Sequence, residues 1–437
     1  MKREDIIHWQ SQLDVTPSQA LTTIPDPQAK PIINNQHQPL SPPKSRKRPQ
    51  TMASSRSTPK RQRTNQGATP DGETPRAGSR RREPPPHIRS ASPTTFLPPS
   101  SESQSTQSRR SSRSSPSKTI AALELNPEGI DTRVLSLTNL SLPPALLKLA
   151  IELENCSNGV GVISSCLQDE IKEQSKTDSE FQIFLHFMYD LPLNRDKLGP
   201  TPSIDDVTRL VQEAAECQAS MQSETGWNMM VHWPLLSMAI YGPRKQHQLV
   251  GLAPCTVAKI IKEYLPTSSQ AKMVDFCMYL VPEMEEVATN ATKNLREILP
   301  YNVINHTEFL PFRNRPIAVS IETKKRGGTQ PATAELQLGT WQAAQWKFLE
   351  HLVCLSSGSF DGLPFLPAVV VQGHDWSFVA TTRENKKTVL WLEKGFGSTT
   401  SSLGVYKTVW GLQRLAQWAR EEYWPWFKRN ALGITGG

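Results

Sequence analysis

The chain has 437 residues, 37% of them hydrophobic and 36 of them proline, enough for one large domain or two modest ones if all of it folds. Residues 1–118 carry 20 Lys+Arg against 8 Asp+Glu, so the overall 49 against 41 leaves 29 against 33 for the remainder; the basic character belongs to the front of the chain and gives no ground for a basic platform in the folded part. Six scattered cysteines without a CxxC pair exclude a disulfide framework and a zinc module, and the lack of a leader-like start or of any 18-residue apolar run excludes a membrane span and indicates a soluble intracellular protein.

Residues 1–13 place Ile6, Ile7, Trp9 and Leu13 at a spacing that suits a short amphipathic helix or an unstructured end. Residues 16–118, rich in Pro, Ser, Thr, Arg and Gln, cannot bury enough apolar surface to offset the lost chain entropy and are expected to be disordered. They carry three basic clusters: Lys44, Arg46, Lys47 and Arg48; Lys60, Arg61 and Arg63; and Arg80, Arg81 and Arg82. Such runs suit a nuclear-import receptor or a phosphate backbone. The first two clusters have bipartite spacing, so import and a nuclear location are the expectation. SRRSSRSSPSK, residues 108–118, offers Ser-Pro and Arg-Ser sites for phosphorylation.

Order is expected from about Leu123, with a helical N-terminal subdomain over 119–203. Residues 146–153 and 162–171 have helical apolar spacing, residues 181–188 are apolar enough to be buried, and Pro143 and Pro144 stand where a helix can start. A second domain is expected over 204–430. It opens with a helix over 204–218, then one capped by Ser223 that runs through Trp227, Val231 and Leu235, with Pro234 kinking or interrupting it. The period then shortens to that of strands at 256–261, 273–280 and 317–324, with a helix over 283–299 between the last two. A helix over 334–353, strands at 365–371, 376–381 and 388–392, and a Trp-rich helix over 406–427 complete the chain. This order indicates an α/β fold with a mixed sheet.

Strand alternation over 317–324 sets Ile317, Val319 and Ile321 on a core face and Ser320, Glu322 and Lys324 on the other. Over 273–280 it gathers Val274, Phe276, Met278 and Leu280 and leaves Asp275 opposite them. An acid in an apolar strand is costly to bury unpaired. Two such acids on adjacent strands suit a shared divalent cation, with a lysine beside them to orient the attacking water of phosphodiester hydrolysis. E-x-K alone equally describes a surface ion pair.

The context goes further. INHTEFLPF precedes PIAVSIETKK, and QLGTWQAAQW follows it. Over 204–429 this resembles the fungal branch of the PD-(D/E)XK nuclease-like superfamily, although Val274 stands where the proline of the motif would be. The resemblance implies a restriction-endonuclease-like core flanked by helices, with Asp275 and Glu322 holding Mg²⁺ or Mn²⁺ and Lys324 at the attacking water. It also matches Glu224 to the acid of the first core helix, a place for which Glu213 and Glu216 compete, and Gln337 to a helix glutamine beside the site. The 283–299 helix leaves open whether the two acids lie on neighbouring strands. Trp341 reads as core packing before substrate stacking. His306 and His374 read as loop residues that organise backbone before catalytic groups. Lys325 and Arg326 are phosphate contacts or solvated strand-end charges. The function implied is metal-dependent cleavage of nucleic acid, DNA first. The alternative is the same fold kept as an inactive module for binding nucleic acid or protein.

Overall fold

The computed structural model describes residues 115–243, 248–266, 273–325 and 331–434. The 1–13 helix, residues 16–114 of the tail with its basic clusters, and Arg326 lie outside them; residues 116–118, expected to be disordered, instead open the helix Pro116–Glu124, capped by Ser115.

A seven-stranded sheet organises the chain. Its strands are β1 (Ile130–Val134), β4 (Val250–Pro254), β5 (Phe276–Leu280), β6 (Ile317–Lys324), β7 (Leu366–Gln372), β8 (Asp375–Glu384) and β9 (Lys387–Ser398), in the order β1-β9-β8-β7-β6-β5-β4. Two short strands, β2 (Ile163–Ser164) and β3 (Tyr189–Asp190), pair separately. β1–β9 and β6–β7 are parallel and the other neighbours antiparallel, so the mixed sheet expected from the element order is present. β1 comes from the stretch expected to be helical. Ile130 on it is buried with Leu123, Leu336, Ala343 and Leu390, an apolar contact that draws the segment onto the edge of β9.

The helices that matter are α1 (Pro116–Glu124), α2 (Pro144–Ser157), α3 (Gln168–Gln174), α4 (Ile204–Ala219), α5 (Glu224–Trp227), α6 (Trp233–Tyr241), α7 (Glu286–Ile298), α8 (Pro331–Ser356), α9 (Ser402–Trp418) and α10 (Trp424–Asn430). α8 crosses the face of β6 that carries Ser320, where Trp341 Nε1 donates to Ser320 Oγ at 3.0 Å. The opposite face meets Trp233 of α6, whose ring stacks on Phe276, and α6 in turn packs on α9. Both faces of β6 are therefore covered, and every residue from Ile317 to Thr323 is buried. The face expected to carry Ser320, Glu322 and Lys324 is thus as buried as the core face up to Lys324.

Pro234 does interrupt its helix, by a specific device. A wide π turn, Asn228–His232, joins α5 to α6 just ahead of Trp233-Pro234, and a second, Ala419–Tyr423, precedes Trp424-Pro425 between α9 and α10. The extra residue moves the preceding carbonyl away from a ring that would otherwise strike it.

Two expected elements are corrected. Residues 162–171 hold β2, a tight turn and the start of α3, rather than one helix; Ile163 pairs with Tyr189 of β3, a partner that lies outside the stretch. Residues 256–261 form a turn with a single bridge, Ile260 to Thr307, and the edge strand is β4 just before them. β4 has its open side closed by Tyr241, whose hydroxyl accepts from Leu252 N at 2.7 Å and donates to Leu252 O at 3.1 Å, a protection that unpaired edges need.

Candidate active site

β5 pairs with β6 in an antiparallel register of Phe276 with Ile321, so the two acids flank neighbouring strands despite α7 in the connection between them. Asp275 lies one residue before β5. Its N–H donates to Ile321 O at 3.1 Å and its carbonyl accepts from Cys255 N at 2.8 Å, which fixes the backbone beside Glu322. The carboxylate is turned to the strand: Oδ2 accepts from Thr323 N at 2.9 Å and from Thr323 Oγ1 at 2.8 Å.

Glu322 is only 1% exposed. Lys324 Nζ donates to Glu322 Oε1 and, at 2.8 Å, to Thr323 O, and it lies 3.7 Å from Glu224 Oε2. Glu322 Oε2 is buried without a hydrogen-bond partner. Burial, reinforced by the charge of Asp275 and opposed by Lys324, pushes the Glu322 carboxyl up to about 8. Burial likewise raises the Glu224 carboxyl against the pull of Lys324. Burial alone would lower the Lys324 ammonium, but Glu322 and then Glu224 and Asp275 outweigh it, and its pKa rises.

The structure thus brings Asp275, Glu322, Lys324 and Glu224 together. Glu224 follows the cap Ser223, whose Oγ accepts from Gly226 N at 3.2 Å, and it is Glu224 that reaches Lys324; Glu213 instead lines a separate groove beside Arg209 and Trp233. Gln337 stands one step back, with Nε2 donating to Met273 O at 3.2 Å. Trp341 is fully buried and serves packing. His306 is buried with its ring 4.3 Å from that of Trp341, and burial pushes its pKa down to about 3. His374, in the turn between β7 and β8, is tied to the residue just past β9 by Thr399 Oγ1 at 3.0 Å and by Thr399 N on its carbonyl. His374 holds structure, whereas the His306 ring, both of whose nitrogens are buried without a hydrogen-bond partner, packs against Trp341 and does not organise backbone. Lys325 is exposed at the strand end.

Of three residues close to the acids, two carry no sequence signal of their own. Thr323 grips Asp275; its Oγ1 is also 2.8 Å from the side-chain amide of Asn228. Asn228 lies 2.8 Å from His232 Nδ1, and His232 Nε2 is 2.9 Å from Gly373 O. Thr323 sits inside the E-T-K triplet, where its hydroxyl was legible; Asn228 and His232 are polar residues in a helical stretch that only the fold connects to the site.

Among the described residues no three Asp, Glu, His or Cys side chains converge on one point. The donor set is still that of a hard divalent cation: two carboxylates on adjacent strands, an unpartnered Glu322 oxygen, and the Thr323 carbonyl sharing the Lys324 ammonium with Glu322. Mg²⁺ commonly takes only one or two carboxylates and fills its shell with waters and phosphate oxygens.

Residues 170–424 match the family model described as the PD-(D/E)XK nuclease superfamily. No curated protein and no solved structure matches the chain.

Proposed function

The chain belongs to the PD-(D/E)XK nuclease superfamily, and from that premise we propose that it hydrolyses phosphodiester bonds of nucleic acid, DNA first, with Mg²⁺ or Mn²⁺ held by Asp275 and Glu322. The observation that carries this reading is the placement of both acids on the paired ends of β5 and β6, with the Lys324 ammonium in contact with Glu322. A bound divalent ion supplies positive charge beside the phosphate oxygens. Asp275 enters this arrangement pre-aimed by two hydrogen bonds from Thr323. Glu322 offers Oε2, which has no other partner to give up. Lys324 orients the attacking water with its ammonium, and Glu224 holds that ammonium from the far side at 3.7 Å. Gln337 supports the backbone ahead of Asp275. As the water oxygen bonds to phosphorus, a bridging P–O bond breaks, the water proton leaves toward solvent, and the departing oxygen takes up a proton from solvent to leave as a hydroxyl.

The basic clusters of the first 118 residues add non-specific affinity for the phosphate backbone and, in this reading, bind a nuclear-import receptor and direct the protein to the nucleus. The balance of 29 basic to 33 acidic residues beyond position 118 favours a second reading, in which the fold binds nucleic acid or protein without cutting.

Purified protein with plasmid, linear and single-stranded DNA and Mg²⁺ or Mn²⁺, beside Asp275→Ala and Lys324→Ala, separates the two. Metal-dependent cleavage lost in both variants supports the nuclease. No cleavage on any substrate, with no metal bound in calorimetry, sinks it and leaves the binding module.

A further inference from the structure

We propose that His232, Asn228 and Thr323 form a directed hydrogen-bond relay that aims the Asp275 carboxylate, with the Asn228 amide turned so that Nδ2 donates to both His232 Nδ1 and Thr323 Oγ1. The role for Asp275 rests on the metal-site reading above; the direction of the relay does not.

The direction follows from counting protons along the chain of contacts. Gly373 O can only accept, so His232 Nε2, 2.9 Å away, must donate to it. A neutral imidazole has a single N–H, which leaves Nδ1 as an acceptor. His232 is fully buried between Trp227, stacked on its ring, and Trp376, edge-on to it, and burial pushes its pKa down to about 4, so it is neutral. With Asn228 Oδ1 placed 2.8 Å from Nδ1, two acceptors would face each other. The same oxygen also stands 2.8 Å from Thr323 Oγ1, which is equally close to Asp275 Oδ2, and one hydroxyl proton cannot serve both. A half-turn of the amide removes both conflicts at once. Nδ2 carries two hydrogens, one for His232 Nδ1 and one for Thr323 Oγ1, and the Thr323 proton is then committed to Asp275 Oδ2.

The relay has a rigid anchor. Gly373, in left-handed backbone at φ 59°, receives His232 on its carbonyl while its N–H donates to Lys324 O at 2.8 Å. One end of the relay therefore rests on the strand residue next to Thr323, and the other ends on the acid that Thr323 grips. His232 and Asn228 come from the π turn that precedes Pro234, so the turn that accommodates the proline also sets these two side chains facing β6. They are positioning residues: they touch neither substrate nor the proposed metal position, and act through Thr323.

The test uses full-length protein labelled with ¹⁵N-histidine, with His232 assigned by comparison with His232→Gln. At pH 7 the expected signature is a protonated Nε2 and a pyridine-type, hydrogen-bonded Nδ1. A proton on Nδ1, alone or with Nε2, overturns the relay. In Asn228→Asp the donor to Nδ1 becomes an acceptor, and a second proton should appear on Nδ1 while Nε2 keeps its own for Gly373 O. Calorimetric titration with Mn²⁺ then compares the wild type with Thr323→Val and Thr323→Ser. The valine variant should bind about tenfold more weakly, the effect of losing a hydrogen bond to a charged group, and serine should restore binding; valine binding as the wild type does refutes the aiming of Asp275. If the wild type takes up no Mn²⁺, the metal reading of the site falls, and the His232 tautomer decides the relay by itself.

Discussion

Glu322 offers the sharpest quantitative test, because its carboxyl is almost wholly buried beside a second acid. Its folded pKa of about 8 stands against an ordinary value of 4.5. Below the ordinary value both folded and unfolded chains hold the proton, and Glu322 imposes no pH-dependent penalty. As pH rises the unfolded chain ionises first, so stability is lost progressively until the folded pKa is passed. The full loss, about 3.5 units at roughly 1.4 kcal/mol per unit, is on the order of 5 kcal/mol. Glu322→Gln removes the titration and keeps the shape. Urea unfolding of metal-free wild type and variant across pH 4.5 to 8.5 should show the variant gaining on the wild type by several kcal/mol over that window. Groups remote from Glu322 cancel in the difference, whereas Lys324, Asp275 and Glu224, which feel its charge, do not. The same protonation makes metal uptake at Glu322 release protons near pH 7 and progressively fewer above the folded pKa, readable by calorimetry in buffers of different ionisation enthalpy. A stability difference independent of pH, with no proton released, would refute the reasoning.

Three further expectations reach other parts of the structure. Lys324→Met should reduce metal-dependent cleavage by about 10²- to 10⁴-fold, while Mn²⁺ affinity stays the same or tightens, since the ammonium shares Glu322 Oε1 and Thr323 O with any cation; weaker Mn²⁺ binding contradicts that competition. Tyr241→Phe strips the hydroxyl that serves both Leu252 N and Leu252 O on the edge strand and should lower unfolding free energy by about 1–3 kcal/mol in urea. Ile130→Ala, at a buried position that holds β1 to α8 and β9, should cost about 2–4 kcal/mol by the same measurement, and an unchanged midpoint means that β1 adds nothing to the sheet.

What could be read from the sequence divides by the kind of signal. β6 runs over the residues expected, because an apolar strand that ends in E-T-K leaves its acid conspicuous, and the family match over 170–424 bears out the superfamily drawn from those residues, though not its fungal branch. The apolar stretches misled where one pattern served two geometries. Val162, Ile163, Leu167 and Ile171 fit a helical stripe, yet Ile163 pairs with Tyr189 in a strand and only Ile171 belongs to a helix. Residues 256–261 are β-rich in composition, but the strand next to β5 is β4, whose glycine lies under the Tyr279 ring: a Cβ on Gly251 would sit 2.5 Å from it. Such packing depends on a partner that the local sequence does not contain.

The polar residues behind Asp275 are hidden for a related reason. Periodicity marks an acid in a strand as costly to bury, and so points to a site, whereas Asn228 and His232 lie in a helical stretch where polar side chains ordinarily face water. They turn inward because the π turn ahead of Pro234 rotates them toward β6. There, desolvation requires that every donor find an acceptor, and four segments that are remote in sequence must meet for that to happen: Asn228 and His232, Asp275, Thr323, and Gly373. A buried carboxylate that must stay available on one side can be satisfied only from the other. Thr323 does this from the strand itself, binding only Oδ2 of Asp275, and under the proposed function it is the other oxygen that a cation shared with Glu322 would use.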